Sequence, residues 1–261
     1  MSPKQLDMVI CATITPEMVC PSTAAQVVAD VGAVPAAAMD LNAACSGFVY
    51  ALSVATAMIR TGQAKTIAVI GTETLSSITD WKDRRTCVLF GDGAGAVILT
   101  ASDDAGQGPL HTIMHSDGSM WQELYVPRDQ HNIPPGDKIF SGNFNTLQMN
   151  GQAIFKFAVS TLKKVIDESL AAHNLKPADL AMIIPHQSNI RILESARDRL
   201  GLGEDKLYIN IDRYGNTSGA SVPICLHELW SSGKSRPATG AVHRHRRRTD
   251  LGGVFVETVM D

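Results

Sequence analysis

The sequence predicts an α/β fold made of two similar halves. Short apolar runs of strand length alternate with stretches that carry apolar residues at helical spacing. A faint internal repeat is the second observation: Gln5-Leu6-Asp7-Met8-Val9-Ile10 returns as Asp179-Leu180-Ala181-Met182-Ile183-Ile184. Each copy is followed by a turn rich in small residues, ending at Ala43-Ala44-Cys45-Ser46-Gly47 in one case and Gly215-Asn216-Thr217-Ser218-Gly219 in the other. Duplicated halves with matching strand-to-helix turns would bring Cys45 and Asn216 toward one shared site. The third observation is bulk, since 261 residues of which 44% are hydrophobic can bury a substantial core.

In chain order, residues 6–13 read as a strand and 24–32 as a helix ended by Gly32. A buried strand is expected at 36–41, a helix at 46–60 before Thr61-Gly62, and strands at 65–71 and 87–99. From 101 to 141 the composition shifts to Gly, Pro, Asp and His without clear period. Helical pattern returns at 151–173, followed by a strand at 180–185, a helix at 190–200 and a strand at 206–211. This divides the chain into a first half at 1–105, a connecting or insertion region at 106–150 and a second half at 151–261.

Composition excludes several classes. No stretch approaches the roughly 18 apolar residues of a spanning helix, and residues 1–5 lack the plan of a secretory signal, so a cytoplasmic protein is expected. Five scattered cysteines, Cys11, Cys20, Cys45, Cys87 and Cys225, show no zinc or redox spacing. His111 and His115 have a spacing that suits a metal, yet no third ligand is evident, and strand surface is the reading kept. A net charge of -3 leaves no electrostatic footprint for nucleic acid, apart from a local basic run at 243–248.

Three residues can carry chemistry. Cys45 lies where a strand ends and a helix begins, and a helix N-terminus favours the thiolate over the thiol, whose free pKa is about 8.5. His186 follows an apolar strand in Pro185-His186-Gln187-Ser188-Asn189, a rigid place for a base or donor. Asn216, after Gly215, can donate to a carbonyl oxygen without adding charge. Taken singly, each has a plainer reading: a small buried cysteine, a core or surface histidine, a turn asparagine.

In combination they resemble a known family. Asp40-Leu41-Asn42-Ala43-Ala44-Cys45-Ser46-Gly47-Phe48, Phe90-Gly91-Asp92-Gly93-Ala94-Gly95-Ala96, His186-Gln187-Ser188-Asn189-Ile190-Arg191 and Gly215-Asn216-Thr217-Ser218-Gly219-Ala220-Ser221 are similar to the four main motifs of β-ketoacyl-acyl carrier protein synthase III, in order and at the family's approximate spacing. The resemblance implies the thiolase-like fold, two βα halves in a layered α-β-α-β-α arrangement, paired into a homodimer. It also implies that Cys45 takes an acyl group from acyl-coenzyme A and that His186 and Asn216 hold the malonyl thioester while carbon dioxide leaves. The default substrates are acetyl-coenzyme A and malonyl-acyl carrier protein. No metal or redox cofactor is implied.

Other positions follow from the same resemblance. Arg84 and Arg85 match the contact with the coenzyme A nucleotide, Gln152 and Phe155 the wall of the pantetheine tunnel, and Ser188 and Asn189 further substrate-binding positions. Lys156 and Arg191 match the docking site of the acidic carrier protein. Cys20 matches a position where the family often places a bulkier residue that reaches the partner subunit's acyl pocket, and a smaller side chain there would admit longer or branched chains. Asp92, between two glycines, invites a phosphate-loop reading, but no Gly-Lys-Ser/Thr follows, and it is read as a structural turn.

Two departures stand against an active enzyme. The resemblance begins part way into the family's first half, so that half is expected to be incomplete, with apolar surface exposed. The second lies where the family has a glycine-rich loop and this chain reads His243-Arg244-His245-Arg246-Arg247-Arg248-Thr249-Asp250-Leu251-Gly252. Codons CAC CGG CAT CGG CGG CGG ACT GAC CTG GGG would encode that stretch, and one base forward they read Thr-Gly-Ile-Gly-Gly-Gly-Leu-Thr-Trp, the family's loop. A local frameshift, corrected by Gly253, is therefore expected, at the cost of an oxyanion-hole N–H that contributes about 2.7 to 4 kcal/mol. Rival readings are a nucleic-acid or membrane patch at the basic run, a condensing enzyme of polyketide or secondary metabolism, an inactive fragment that keeps dimer or carrier-protein binding, and a Cys-His-Asn hydrolase.

Overall fold

A computed structural model of the chain describes residues 1–103, 108–232 and a strand at 252–259. Strands β1 (Met8–Ala12), β2 (Ala37–Leu41) and β3 (Thr66–Glu73) run parallel, and β4 (Gly93–Thr100) pairs antiparallel to β3, in the order β2-β1-β3-β4. Every residue of β1 is buried, as a central strand covered on both faces requires. Its alternate residues serve two cores. Val9 and Cys11 pack with Ala24 and Val28 of α1 (Thr23–Asp30), while Ile10 and Ala12 pack with Phe48 and Leu52 of α2 (Gly47–Arg60). The Ser22 side chain accepts from the Ala25 N–H, the Asp40 carboxylate accepts the Thr23 and Ala24 N–H groups, and Gly32 at φ 69° follows the end of α1.

In the rest of the chain, β5 (Gly108–Ser116) pairs in parallel with the far strand, and β6 (Leu124–Tyr125) pairs antiparallel with β7 (Gln148–Met149). Helix α3 (Gly151–Ala172) is capped by Asn150 and α4 (Ile190–Arg199) by Asn189. A core of Leu170, Leu180, Ile183, Leu193 and Leu207 lies beneath them. The short α5 (Ile211–Tyr214) and then α6 (Ser221–Ser231) follow, and β8 (Gly252–Val259) is the partner of β5. Val222 and Leu226 of α6 join the α2 core, so the two halves share apolar packing. Among the described residues no helix is long and apolar enough to cross a membrane.

Three sequence expectations differ from the structure. The strand expected at 87–99 starts only at Gly93, because residues before it form turns and Phe90 makes one bridge, to Asn216. The patternless stretch 101–141 contains β5, whose partner lies more than a hundred residues away. The strands expected at 180–185 and 206–211 touch by one bridge, Ile183 to Leu207, with Ile183 N–H donating to Lys206 O at 2.8 Å and Tyr208 N–H to Ile183 O at 2.9 Å. Pro185 has no N–H for the next rung. The buried Gln187 side chain substitutes: its Nε2 donates to Tyr208 O and Pro185 O, and its Oε1 accepts the Asn210 N–H.

Candidate active site

Cys45 sits in a single 3-10 turn, Ala44–Ser46, between the end of β2 and the start of α2. Ala44 holds φ 45°, a left-handed conformation that costs a non-glycine residue energy and that only a well-braced turn maintains. The turn leaves Cys45 half-buried at the N-terminal end of α2, where the helix dipole favours a thiolate. Cys11 and Cys225 contrast with it, since burial pushes both thiols up to about 12.

Asn216 is held by the first half of the chain. Its N–H donates to Leu89 O at 2.9 Å, and its carbonyl accepts the Gly91 N–H at 2.9 Å. This close approach explains Gly91: a Cβ there would stand 2.1 Å from Tyr214 O. The Asn216 Oδ1 accepts the Ser218 N–H at 2.8 Å, which leaves the Nδ2 donor as the group it can offer a substrate oxygen. Asp92 accepts from the Ser76 N–H and hydroxyl, in keeping with a structural turn.

The Asn216 turn repeats the Cys45 turn. Ser218, at φ 48°, opens the 3-10 turn Ser218–Ala220 ahead of α6 as Ala44 opens its own ahead of α2. Ala44 and Ser218, like Met8 and Met182, are 174 residues apart (218 − 44 and 182 − 8). The two turns meet, for a Cβ at Gly219 would lie 3.5 Å from Ala44 O, while at Gly71 on β3 it would lie 2.3 Å from Gly219 O. His186 joins the same assembly, its Nδ1 2.8 Å from the Oγ of Ser221, the residue after the Asn216 turn. The Cys45 and Asn216 turns therefore brace one another, and His186, in the extended segment after Ile183, is tied to them through Ser221.

Glu73, at the end of β3 and 2% exposed, braces them from beneath. Its carboxylate accepts from the Thr13 and Thr15 hydroxyls, the Ile14 N–H and the Ser218 hydroxyl. Burial pushes its pKa up, and these hydrogen bonds oppose the shift without cancelling it. Glu228 on α6 does similar work on the approach to Asn216, accepting from Tyr208, Asn210, Arg213 and Tyr214. Burial alone would raise it, but those donors outweigh burial and hold it below the usual range. Sequence reasoning missed Glu73, Gln187, Ser221 and Glu228; a lone acid closing the apolar run Ile67-Ala68-Val69-Ile70-Gly71-Thr72 was the one available signal, at Glu73.

The remaining candidates lie on other elements. Arg84 and Arg85 are exposed on the turn before Phe90, and Asp83 engages Arg85 in a bidentate pair. Gln152 and Lys156 are exposed and Phe155 half-buried in the first turns of α3, while Arg191 is exposed at the start of α4. Ser188 donates its N–H to His186 O, and Asn189 Oδ1 caps α4 through the Arg191 N–H. Cys20 is exposed. His111 and His115 both fall on β5, with His115 Nε2 3.3 Å from Glu168 Oε1. The basic run at 243–248 and the frameshift reading through 251 lie outside the described residues.

With this geometry in place, similarity to known proteins is informative. Residues 39–118 match the 3-oxoacyl-(acyl-carrier-protein) synthase III family, and residues 170–242 match its C-terminal counterpart. A β-ketoacyl-(acyl-carrier-protein) synthase III from Caldanaerobacter subterraneus subsp. tengcongensis is 47% identical over 233 residues, covering 89% of this chain and 70% of that protein. The crystal structure of the synthase III from Aquifex aeolicus superposes with a TM-score of 0.82 at 42% identity, covering 92% of this chain and 72% of the other. The synthase III structure from Thermus thermophilus gives 0.83 at 40% identity, covering 91% and 72%.

Proposed function

The chain belongs to the 3-oxoacyl-(acyl-carrier-protein) synthase III family, the condensing acyltransferases that initiate fatty-acid biosynthesis from acyl-coenzyme A and malonyl-acyl carrier protein, and from that premise we propose how its own residues perform the reaction. The Cys45 thiolate attacks the acyl-coenzyme A carbonyl, and coenzyme A leaves as its thiolate, which takes a proton from water, so the acyl group becomes a Cys45 thioester. His186 and Asn216 then donate to the thioester oxygen of malonyl-carrier protein. Loss of carbon dioxide leaves an enolate whose negative oxygen those two donors stabilise. The enolate carbon attacks the acyl-Cys45 carbonyl, a carbon-carbon bond forms, and the Cys45 thiolate departs. The carbon nucleophile comes from decarboxylation, so this scheme requires no metal or redox cofactor.

The supporting observation is the braced meeting of two turns and the His186 segment, with Gly219 against Ala44 and Ser221 against His186. Substrate contacts extend outward from it. Arg84 and Arg85 contact the nucleotide part of coenzyme A, with Asp83 holding Arg85 in place. Gln152 and Phe155 line the route of the pantetheine arm, and Ser188 and Asn189 are further substrate-binding positions. Exposed Lys156 and Arg191 receive the acidic carrier protein, and Cys20 borders the acyl pocket. The enzyme works in the cytoplasm as a homodimer. Exposed Val19, Trp81 and Val88 and the outer edge of β2, which has no strand partner among the described residues, support association, which light scattering tests.

Intact-mass spectrometry after mixing the protein with acetyl-coenzyme A is the direct test. One added acetyl group, absent from Cys45→Ala, is expected, and malonyl-carrier protein should then discharge it as a condensed product. Acetylation that persists in Cys45→Ala would remove Cys45 from the nucleophile's role. Discharge as free acid, with no condensed product, would favour a hydrolase.

A further inference from the structure

We infer that the Ser221 hydroxyl is a positioning group that sets the tautomer of His186: it donates to Nδ1 and so keeps the ring proton on Nε2. Ser221 opens α6 and is 2% exposed. Among the described residues its Oγ has two partners, the Gln187 N–H, which it accepts at 3.3 Å, and His186 Nδ1 at 2.8 Å. A hydroxyl has one proton and two lone pairs, and Gln187 occupies one lone pair.

Two arrangements remain. In the first, the hydroxyl proton goes to Nδ1 and each group in the set is satisfied. In the second, Nδ1–H donates to the other lone pair, and the hydroxyl proton has no acceptor, because Nδ1 is the only acceptor among the described residues with which Ser221 hydrogen-bonds. A buried donor without an acceptor is the costlier state, so the first arrangement prevails. Rotation of the partner does not rescue the second. The Gln187 side chain is fixed by Pro185 O, Tyr208 O and the Asn210 N–H, which holds its backbone N–H against Ser221.

The inference rests on the role proposed above for His186 and adds how that role is enforced. A neutral imidazole with its proton on Nε2 donates to an enolate oxygen, whereas the other tautomer presents a lone pair to it and repels. Acylation of Cys45 makes no call on this proton, so Ser221 should affect the second half-reaction only.

Nitrogen-15 NMR of protein labelled in the histidine rings reads the tautomer directly. Nδ1 is expected to resonate as an unprotonated ring nitrogen and Nε2 as a protonated one, and the reverse would overturn the inference whatever the activity. In Ser221→Ala the preference should relax and condensation kcat fall at least about tenfold, with the rate of Cys45 acylation unchanged. Ser221→Thr, which keeps the hydroxyl, should restore both. An alanine variant that retains Nε2–H, or that loses both half-reactions equally while remaining folded, would overturn it. If the unsubstituted protein shows Nε2–H but no condensation, it is the proposed role of His186 that fails and not the tautomer.

Discussion

Four of the chain's cysteines show how environment decides what a thiol can do. Cys225 donates its S–H to Asn210 Oδ1 at 3.2 Å in a fully buried site, and Cys11 is enclosed in β1; burial pushes both up to about 12. At neutral pH neither presents thiolate, the form that reacts. Cys45 is half-exposed at a helix N-terminus, and Cys20 is exposed. Brief iodoacetamide treatment followed by peptide mass mapping should therefore find Cys45 and Cys20 labelled and Cys11 and Cys225 intact. Prior acetylation should protect Cys45 and not Cys20, and labelling of Cys225 ahead of Cys45 would contradict this account.

At the level of strands and helices, much was legible because local signals agreed. α1 has its Ser22 cap, its apolar period and Gly32; α3 and α4 have asparagine caps and long periodic faces. β5 was not legible, because its order comes from β8 at the other end of the chain. Nor was the substitution of Gln187 for a ladder rung, which depends on Tyr208 and Asn210 arriving beside Pro185. The site divides in the same way. Cys45, His186 and Asn216 announce themselves in compact motifs, whereas Glu73 and Ser221 act through partners that are remote in sequence. Gly91 tests the cradle of Asn216: in Gly91→Ala the added Cβ must displace Tyr214. A shift near 1 Å should lower condensation about a hundredfold. Overpacking should remove about 1–3 kcal/mol of stability, measured by thermal denaturation. Acylation of Cys45, on its own turn, should suffer less.

Across the whole molecule, Glu73 ties Thr13, Ile14 and Thr15 of the first half to Ser218 of the second. Its raised pKa means that the folded protein holds that proton more tightly than the unfolded chain does. The contribution to stability is thus fully present below the ordinary glutamate value and is lost as pH rises through the raised one. Melting temperatures of the wild type relative to Glu73→Gln should be most favourable in acid and decline with rising pH. A difference that stays constant with pH would show that this carboxyl does not titrate in the fold. The same clamp has a consequence in time. Glu73 and Ser218 are 145 residues apart in the chain, and ribosomes add about 5–20 residues per second, so roughly 7 to 30 seconds separate their synthesis. Through that interval the growing chain already contains Cys45 but not the turn that braces it. The braced arrangement of these turns therefore assembles only after Ser218 has been made, long after Cys45 has left the ribosome.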